Sequence, residues 1–182
     1  LICIAAGNEG AAGHHYSGDF NDEENIVSFN IAQGLNNMYL SVWKSFSDEV
    51  GLIITSPSGE KSGLLTSDTQ SAFLGTTVNV LFSQPTPYSI DSEIYLSFQS
   101  DGEIQSGIWS VEFVPINIVS GSYSIWLPVT EAVGSDTAFL EPNTEITITI
   151  PAAARKAMAV AGYNQLTDTY VDFSGRGYTC LL

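Results

Sequence analysis

The chain has 182 residues, 44% of them hydrophobic, enough for one good core or for one domain with pieces of another. Twenty Asp and Glu against five Lys and Arg give a formal net charge of -15, and no basic cluster is present to neutralise phosphates. That balance argues against nucleic acid and anionic membrane surfaces as partners, and no apolar stretch approaches the ~18 residues that cross a bilayer.

Leu1 to Ala5 form an apolar run that breaks at Gly7-Asn8. The pattern predicts a buried strand delivering a polar side chain at its carboxyl end, where chemistry sits in α/β proteins. The amino terminus lacks a basic segment followed by a small-residue cleavage site, so it does not read as a signal peptide. Opening inside a core strand without Met, the chain reads as an excised fragment. Cys3 and Cys180 are far apart and each in apolar company, so neither a disulfide framework nor a metal spacing is legible.

His14 and His15 are the only histidines. Adjacent side chains point apart, and no Cys or carboxylate stands at ligand spacing, so both read as loop residues that pack and hydrogen-bond. Asp19, Asp22, Glu23 and Glu24 form an acidic cluster of the hard oxygen donors that hold calcium. No Asp-x-Asp-x-Asp-Gly register is present, and a solvated acidic loop is the plainer reading. Beyond that weak calcium option, no cofactor is expected.

From about Asp19 to Ile150 the pattern consists of short period-two runs separated by turn residues, the mark of a β-sandwich. IVSFNI (26–31), YLSVW (39–43), GLIIT (51–55) and TVNVLF (77–82) are the first four predicted strands. EIYLSFQ (93–99), IWSVEFV (108–114), SYSIWL (122–127) and TEITITI (144–150) are the next four. Ser56-Pro57-Ser58-Gly59, Asp101-Gly102, Ser120-Gly121 and Gly134-Ser135 supply the reversals. In the last run, Ile146, Ile148 and Ile150 against Thr147 and Thr149 predict one buried and one wet face. Trp43, Trp109 and Trp126 occupy places that suit core packing better than a carbohydrate-binding face.

The expected fold is mainly β: an eight-stranded antiparallel jelly-roll sandwich. Composition shifts at both junctions argue that it is inserted into another fold, with segments 1–18, 19–150 and 151–182. PAAARKAMAV (151–160) fits either a helix with Pro151 at its first position or a loop entering a buried strand from Met158 to Gly162.

AAGNEG at 5–10, Pro151-Ala152, AVAGYN at 159–164 and FSGRGYT at 173–179 occur in that order. Together they resemble the subtilisin-like serine proteases, or subtilases, whose fold is a doubly wound α/β domain. The middle of the chain, with GIWSVEF and GSYSIWLP before TITIP, is similar to the jelly-roll insert of clostridial Csp-type germination proteases and related Firmicute subtilases. HHYSG at 14–18 and Ser-Gly-Arg-Gly-Tyr fit that subgroup better than the secreted subtilisins.

The resemblance implies a serine endopeptidase in which Asn8 supplies the oxyanion-hole amide. Ala5, Ala6 and Gly7 would line one wall of the pocket for the side chain preceding the scissile bond. The partner would be a protein or peptide substrate, or the protein's own propeptide, in an extracellular, cell-envelope or spore-associated setting. Arg176 would be a structural anchor.

An Asp-Gly pair early in the chain, a His-Gly-Thr and a Gly-Thr-Ser-x-Ala, the motifs of a subtilase triad, do not occur, nor does a Gly-x-Ser-x-Gly elbow. Family order puts Asp and His before Leu1 and the serine after Leu182, so this stretch alone is expected to be inactive. The family's catalytic His lies upstream, so neither His14 nor His15 takes that role. The alternatives are a sandwich acting as a binding, interaction or stabilising module, and a pseudoprotease that has lost part of the triad.

Overall fold

The computed structural model describes residues 2–87, 89–154 and 156–177. In chain order the first strands are β1 (Cys3–Ala5), β2 (His15–Asp19), β3 (Ile26–Ile31), β4 (Asn37–Ser45) and β5 (Glu49–Thr55). Next come β6 (Thr69–Phe73), β7 (Thr76–Phe82), β8 (Asp91–Gln99), β9 (Gly107–Asn117) and β10 (Ser122–Trp126). The single-turn helix α1 (Thr130–Val133) precedes β11 (Ala138–Phe139), β12 (Met158–Val160), β13 (Tyr163–Asn164) and β14 (Thr169–Tyr170). No helix among the described residues is long and apolar enough to cross a membrane.

The chain is mainly β. A six-stranded antiparallel sheet, β2-β10-β4-β8-β7-β6, faces a four-stranded one, β11-β3-β9-β5. Alternation explains their meeting: Leu40 and Val42 of β4 and Leu96 and Phe98 of β8 point inward from the first sheet. Phe29, Leu52, Ile54 and Trp109 point inward from the second. Rings bridge the gap, with Phe98 at 5.3 Å from Trp109 and 5.9 Å from Phe29. Each such side chain, fully buried, contributes about 1.5–3 kcal/mol before chain entropy is subtracted, so this interface holds the sandwich together.

One polar knot fixes the end of the sandwich. The Asp48 carboxylate, between β4 and β5, accepts the backbone N–H groups of Val119, Ser120 and Gly121 at 2.7–3.0 Å. Burial pushes this carboxyl up, but the three donors and the Lys44 ammonium outweigh it and hold it below the usual carboxylate range.

Seven of the eight predicted sandwich strands form, with small shifts at their ends. The eighth, TEITITI at 144–150, does not. Ile146 has φ of 56°, Thr147 is buried, and Ile150 is 89% exposed, the reverse of the expected faces. Thr147 turns inward because its hydroxyl donates to Thr144 O and accepts from Arg176 N. Strands β2, β6 and β11 take part where none was expected. β2 starts at His15 and pairs with β10, so it spans the expected junction at 18/19.

Outside the sandwich, β1 and β12 form a parallel pair, Cys3 opposite Met158 and Ala5 opposite Val160. Residues 151–154 are turns, not helix, so the loop alternative for this segment is the one observed. Neither strand is buried as expected: Ile2 is 62% exposed, and Met158 and Val160 are half exposed. Among the described residues, Ile4 of β1 is half-buried, while Cys3, Ala5 and all of β12 are exposed.

Candidate functional site

At the carboxyl end of β1 the chain passes through a corner stitched by backbone hydrogen bonds. Ala6 N donates to Val160 O at 2.9 Å, continuing the parallel pairing, and Ala6 O accepts from Thr149 N. Gly7 O accepts from Gly175 N, and Gly10 N donates to Phe173 O at 2.9 Å. AAGNEG, AVAGYN and the described part of FSGRGYT are therefore one structural unit, although the sandwich separates them in sequence. Tyr178 and Thr179 of that last motif, and Cys180 after it, lie outside the described residues.

Only glycine fits at the corner itself. Gly7 has φ of 94°, and a Cβ there would collide with the Thr149 hydroxyl. At Gly175 a Cβ would collide with the Ala6 carbonyl, which lets the two segments approach backbone to backbone. The corner leaves Ala5 and Asn8 exposed, Gly7 half-buried and Ala6 buried.

The Asn8 amide does not project freely. Its Nδ2 donates to Glu131 Oε1 at 3.2 Å, from helix α1, which follows the last strand of the six-stranded sheet. The Glu131 backbone N–H and the Asn8 amide both donate to this carboxylate and hold it below the usual range.

Beneath that contact lies a buried network. Glu9 is 5% exposed, and its carboxylate accepts from His14 Nδ1 at 2.7 Å and from the Thr130 backbone N–H and hydroxyl at 3.2–3.3 Å. His14 Nε2 faces the Thr137 carbonyl at 2.8 Å. Both ring nitrogens thus face oxygen atoms, which ties the Glu9 carboxylate to segment 130–137 through one ring. The Thr137 hydroxyl donates to Val133 O and accepts from Ala32 N, which carries the network into the sandwich. Loop 8–14 and segment 130–137 are locked together at the exposed Asn8.

Sequence reasoning missed Glu9, Thr130, Glu131 and Thr137. Glu9 stands next to Asn8, and Glu131 sits in a Val-Thr-Glu-Ala-Val stretch that suits a helical first turn. Nothing in the sequence joins two segments more than 100 positions apart.

The two histidines diverge. His15 is 1% exposed and stacks on Trp126 at 4.8 Å between ring centroids, and among the described residues only the backbone near Asn143 and Glu145 approaches its ring nitrogens, without forming a well-aligned hydrogen bond. Burial pushes its pKa down. Arg176 packs over the Tyr170 ring at 4.4 Å and donates to Asp172 O.

The tryptophans divide. Trp109 is in the core, but Trp43 is 39% exposed and Trp126 is half-buried on the outer face of the six-stranded sheet, lining an open cleft of about 810 Å³. Core packing was expected for all three. Trp43 alternates with inward-facing Val42 and Lys44, and Trp126 with inward-facing Ile125, which turns both indoles outward. In the acidic cluster, Asp19 accepts from the backbone and side chain of Asn21. No three His, Cys, Asp or Glu converge as metal ligands among the described residues.

The fold as a whole has a counterpart in a solved structure. The chain is similar to the solved structure of the CspB protease of Clostridium perfringens, with a TM-score of 0.89 and 30% identity over 98% of this chain. The chain spans 38% of the length of that protease. No protein-family profile and no curated protein matches it.

Proposed function

We propose that the chain is part of a subtilisin-like serine endopeptidase, with a jelly-roll insert held between two pieces of a doubly wound α/β domain. The observation that carries this reading is the corner at Asn8. A largely exposed parallel strand pair ends in a glycine-bound turn that exposes one amide. Parallel sheets are normally buried on both faces, so β1 and β12 fit the interior of a larger sheet. The insert then starts at His15, where β2 joins the six-stranded sheet, and ends near Asn143. The likeness to the CspB protease supports the same assignment.

In this mechanism a serine oxygen outside the chain attacks the substrate's peptide carbonyl, and negative charge gathers on the carbonyl oxygen. Asn8 Nδ2 donates a hydrogen bond to that oxygen as the charge develops, while Ala5, Ala6 and Gly7 form a narrow wall against which substrate backbone lies. Loss of one such donor costs about 3–4 kcal/mol of barrier, a figure whose source is itself a subtilisin asparagine. The Asp and His of the triad would precede this stretch and the Ser would follow it. The substrate is a protein or peptide, and processing of a precursor protein is the role that the Csp likeness favours.

Fluorophosphonate labelling of the full-length protein, with peptide mapping, tests the reading. A label on a serine beyond Leu182, formed about 100- to 1000-fold more slowly in Asn8→Ala, is the expected result. Well-folded protein that takes no label overturns it in favour of a pseudoprotease.

A further inference from the structure

We propose that Glu131 is a positioning residue for Asn8, so that the sandwich fixes the amide on which the oxyanion forms. The inference rests on the assignment of Asn8 made above. An asparagine on an exposed turn has two soft torsions and two amide orientations that differ by exchange of nitrogen and oxygen. Only one of these orientations offers a donor to the oxyanion. A donor that must be ordered during the reaction contributes less than one already in place.

Glu131 removes both freedoms. An ionised carboxylate is an acceptor only, so it attracts Nδ2 of Asn8 and repels Oδ1, which selects one amide orientation. The amide is planar, so holding one of its two N–H bonds on Glu131 Oε1 also sets the direction of the second. That second N–H is the one left for substrate.

The contact would mean little if Glu131 itself were loosely held. Its neighbour Thr130 donates through both backbone and hydroxyl to the buried Glu9 carboxylate, one residue from Asn8 in the chain. His14 ties the same carboxylate to Thr137. The acceptor and the amide are therefore referenced to one rigid network, and the short path through Glu9 keeps their separation constant.

The negative charge of Glu131 lies near a developing negative charge, which opposes catalysis. Because Glu131 is fully exposed, water and salt screen that repulsion, whereas the geometric effect on Asn8 is not screened. Orientation therefore outweighs repulsion, and removing the side chain slows the reaction.

The test is a double-mutant cycle in the full-length protein, read as the limiting rate of fluorophosphonate labelling and the probe concentration giving half that rate. Glu131→Ala is expected to lower the limiting rate about tenfold with the half-saturating concentration unchanged, and Glu131→Gln, whose amide also donates to Asn8 Oδ1 and so no longer selects one orientation, to fall about threefold, between the two. In the Asn8→Ala background, Glu131→Ala is expected to have no further effect. An unchanged rate in Glu131→Ala beside a slow Asn8→Ala overturns the positioning role alone, as does a tenfold loss that persists without Asn8. A normal rate in Asn8→Ala, or no labelling of the parent, overturns the Asn8 assignment as well.

Discussion

His14 and His15 show how two neighbouring rings acquire opposite duties. His14 bridges a buried carboxylate and a carbonyl, so truncation leaves Glu9 short of its closest donor and Thr137 O without that partner. Leaving buried hydrogen-bonding groups without a partner costs about 1–3 kcal/mol each. His14→Ala is therefore expected to lower the denaturant midpoint substantially and, through the loosened segment 130–137, to slow fluorophosphonate labelling. A midpoint within error of the parent would show that the network carries no weight.

His15 does the reverse, because burial outweighs the backbone near Glu145 and Asn143 and favours the neutral ring. The unfolded chain takes up a proton near pH 6.5, whereas the folded chain resists until a lower pH. Stability from this group is complete above about pH 6.5 and declines as the pH falls from there toward the lowered folded value. His15→Phe keeps the stack on Trp126 without the titration. Its stability relative to the parent is expected to rise between pH 7.5 and 5.5, measured by urea unfolding, and a constant difference would refute the assignment.

At the scale of elements, the strands that alternate and pair on both sides were legible. In β3, β4, β8 and β9 the inward residues are mostly large and apolar, so period two in the sequence equals period two in burial. β2 and β6 were not legible because they are edge strands carrying mainly polar residues, HYSGD and TQSAF, whose pairing is set by β10 and β7. TEITITI had the clearest alternation and no strand. Its Thr147 hydroxyl makes two hydrogen bonds in a corner closed by residues from both ends of the chain, and that requirement overrode β-propensity. The site divides in the same way. AAGNEG marked Asn8, but the acceptor that holds its amide comes from a helix of one turn whose only warning was an acidic residue after Val129-Thr130.

Across the whole molecule, the parallel pair joins Cys3 to Met158, with the entire sandwich between them. Closing so long a loop in an unfolded chain is entropically costly and slow. The sandwich lowers that cost by bringing its own ends together: Asn143 N donates to His15 O at 2.8 Å, and the Asn143 amide to the Ser17 hydroxyl at 2.7 Å. After that only two short arms remain to meet. In pulsed hydrogen exchange during refolding of the full-length protein, the amides of Leu40 and Leu96 are expected to gain protection before that of Ala6. Simultaneous protection, or earlier protection of Ala6, would contradict this order. The clasp at Asn143 thus works as a timer as well as a fastening. In a newly made chain Asn8 leaves the ribosome well before Val160, Phe173 and Gly175, so the corner that holds it is finished only after the sandwich has been made. Under the proposed assignment, Asn8 takes up its working position only once the middle of the molecule has folded.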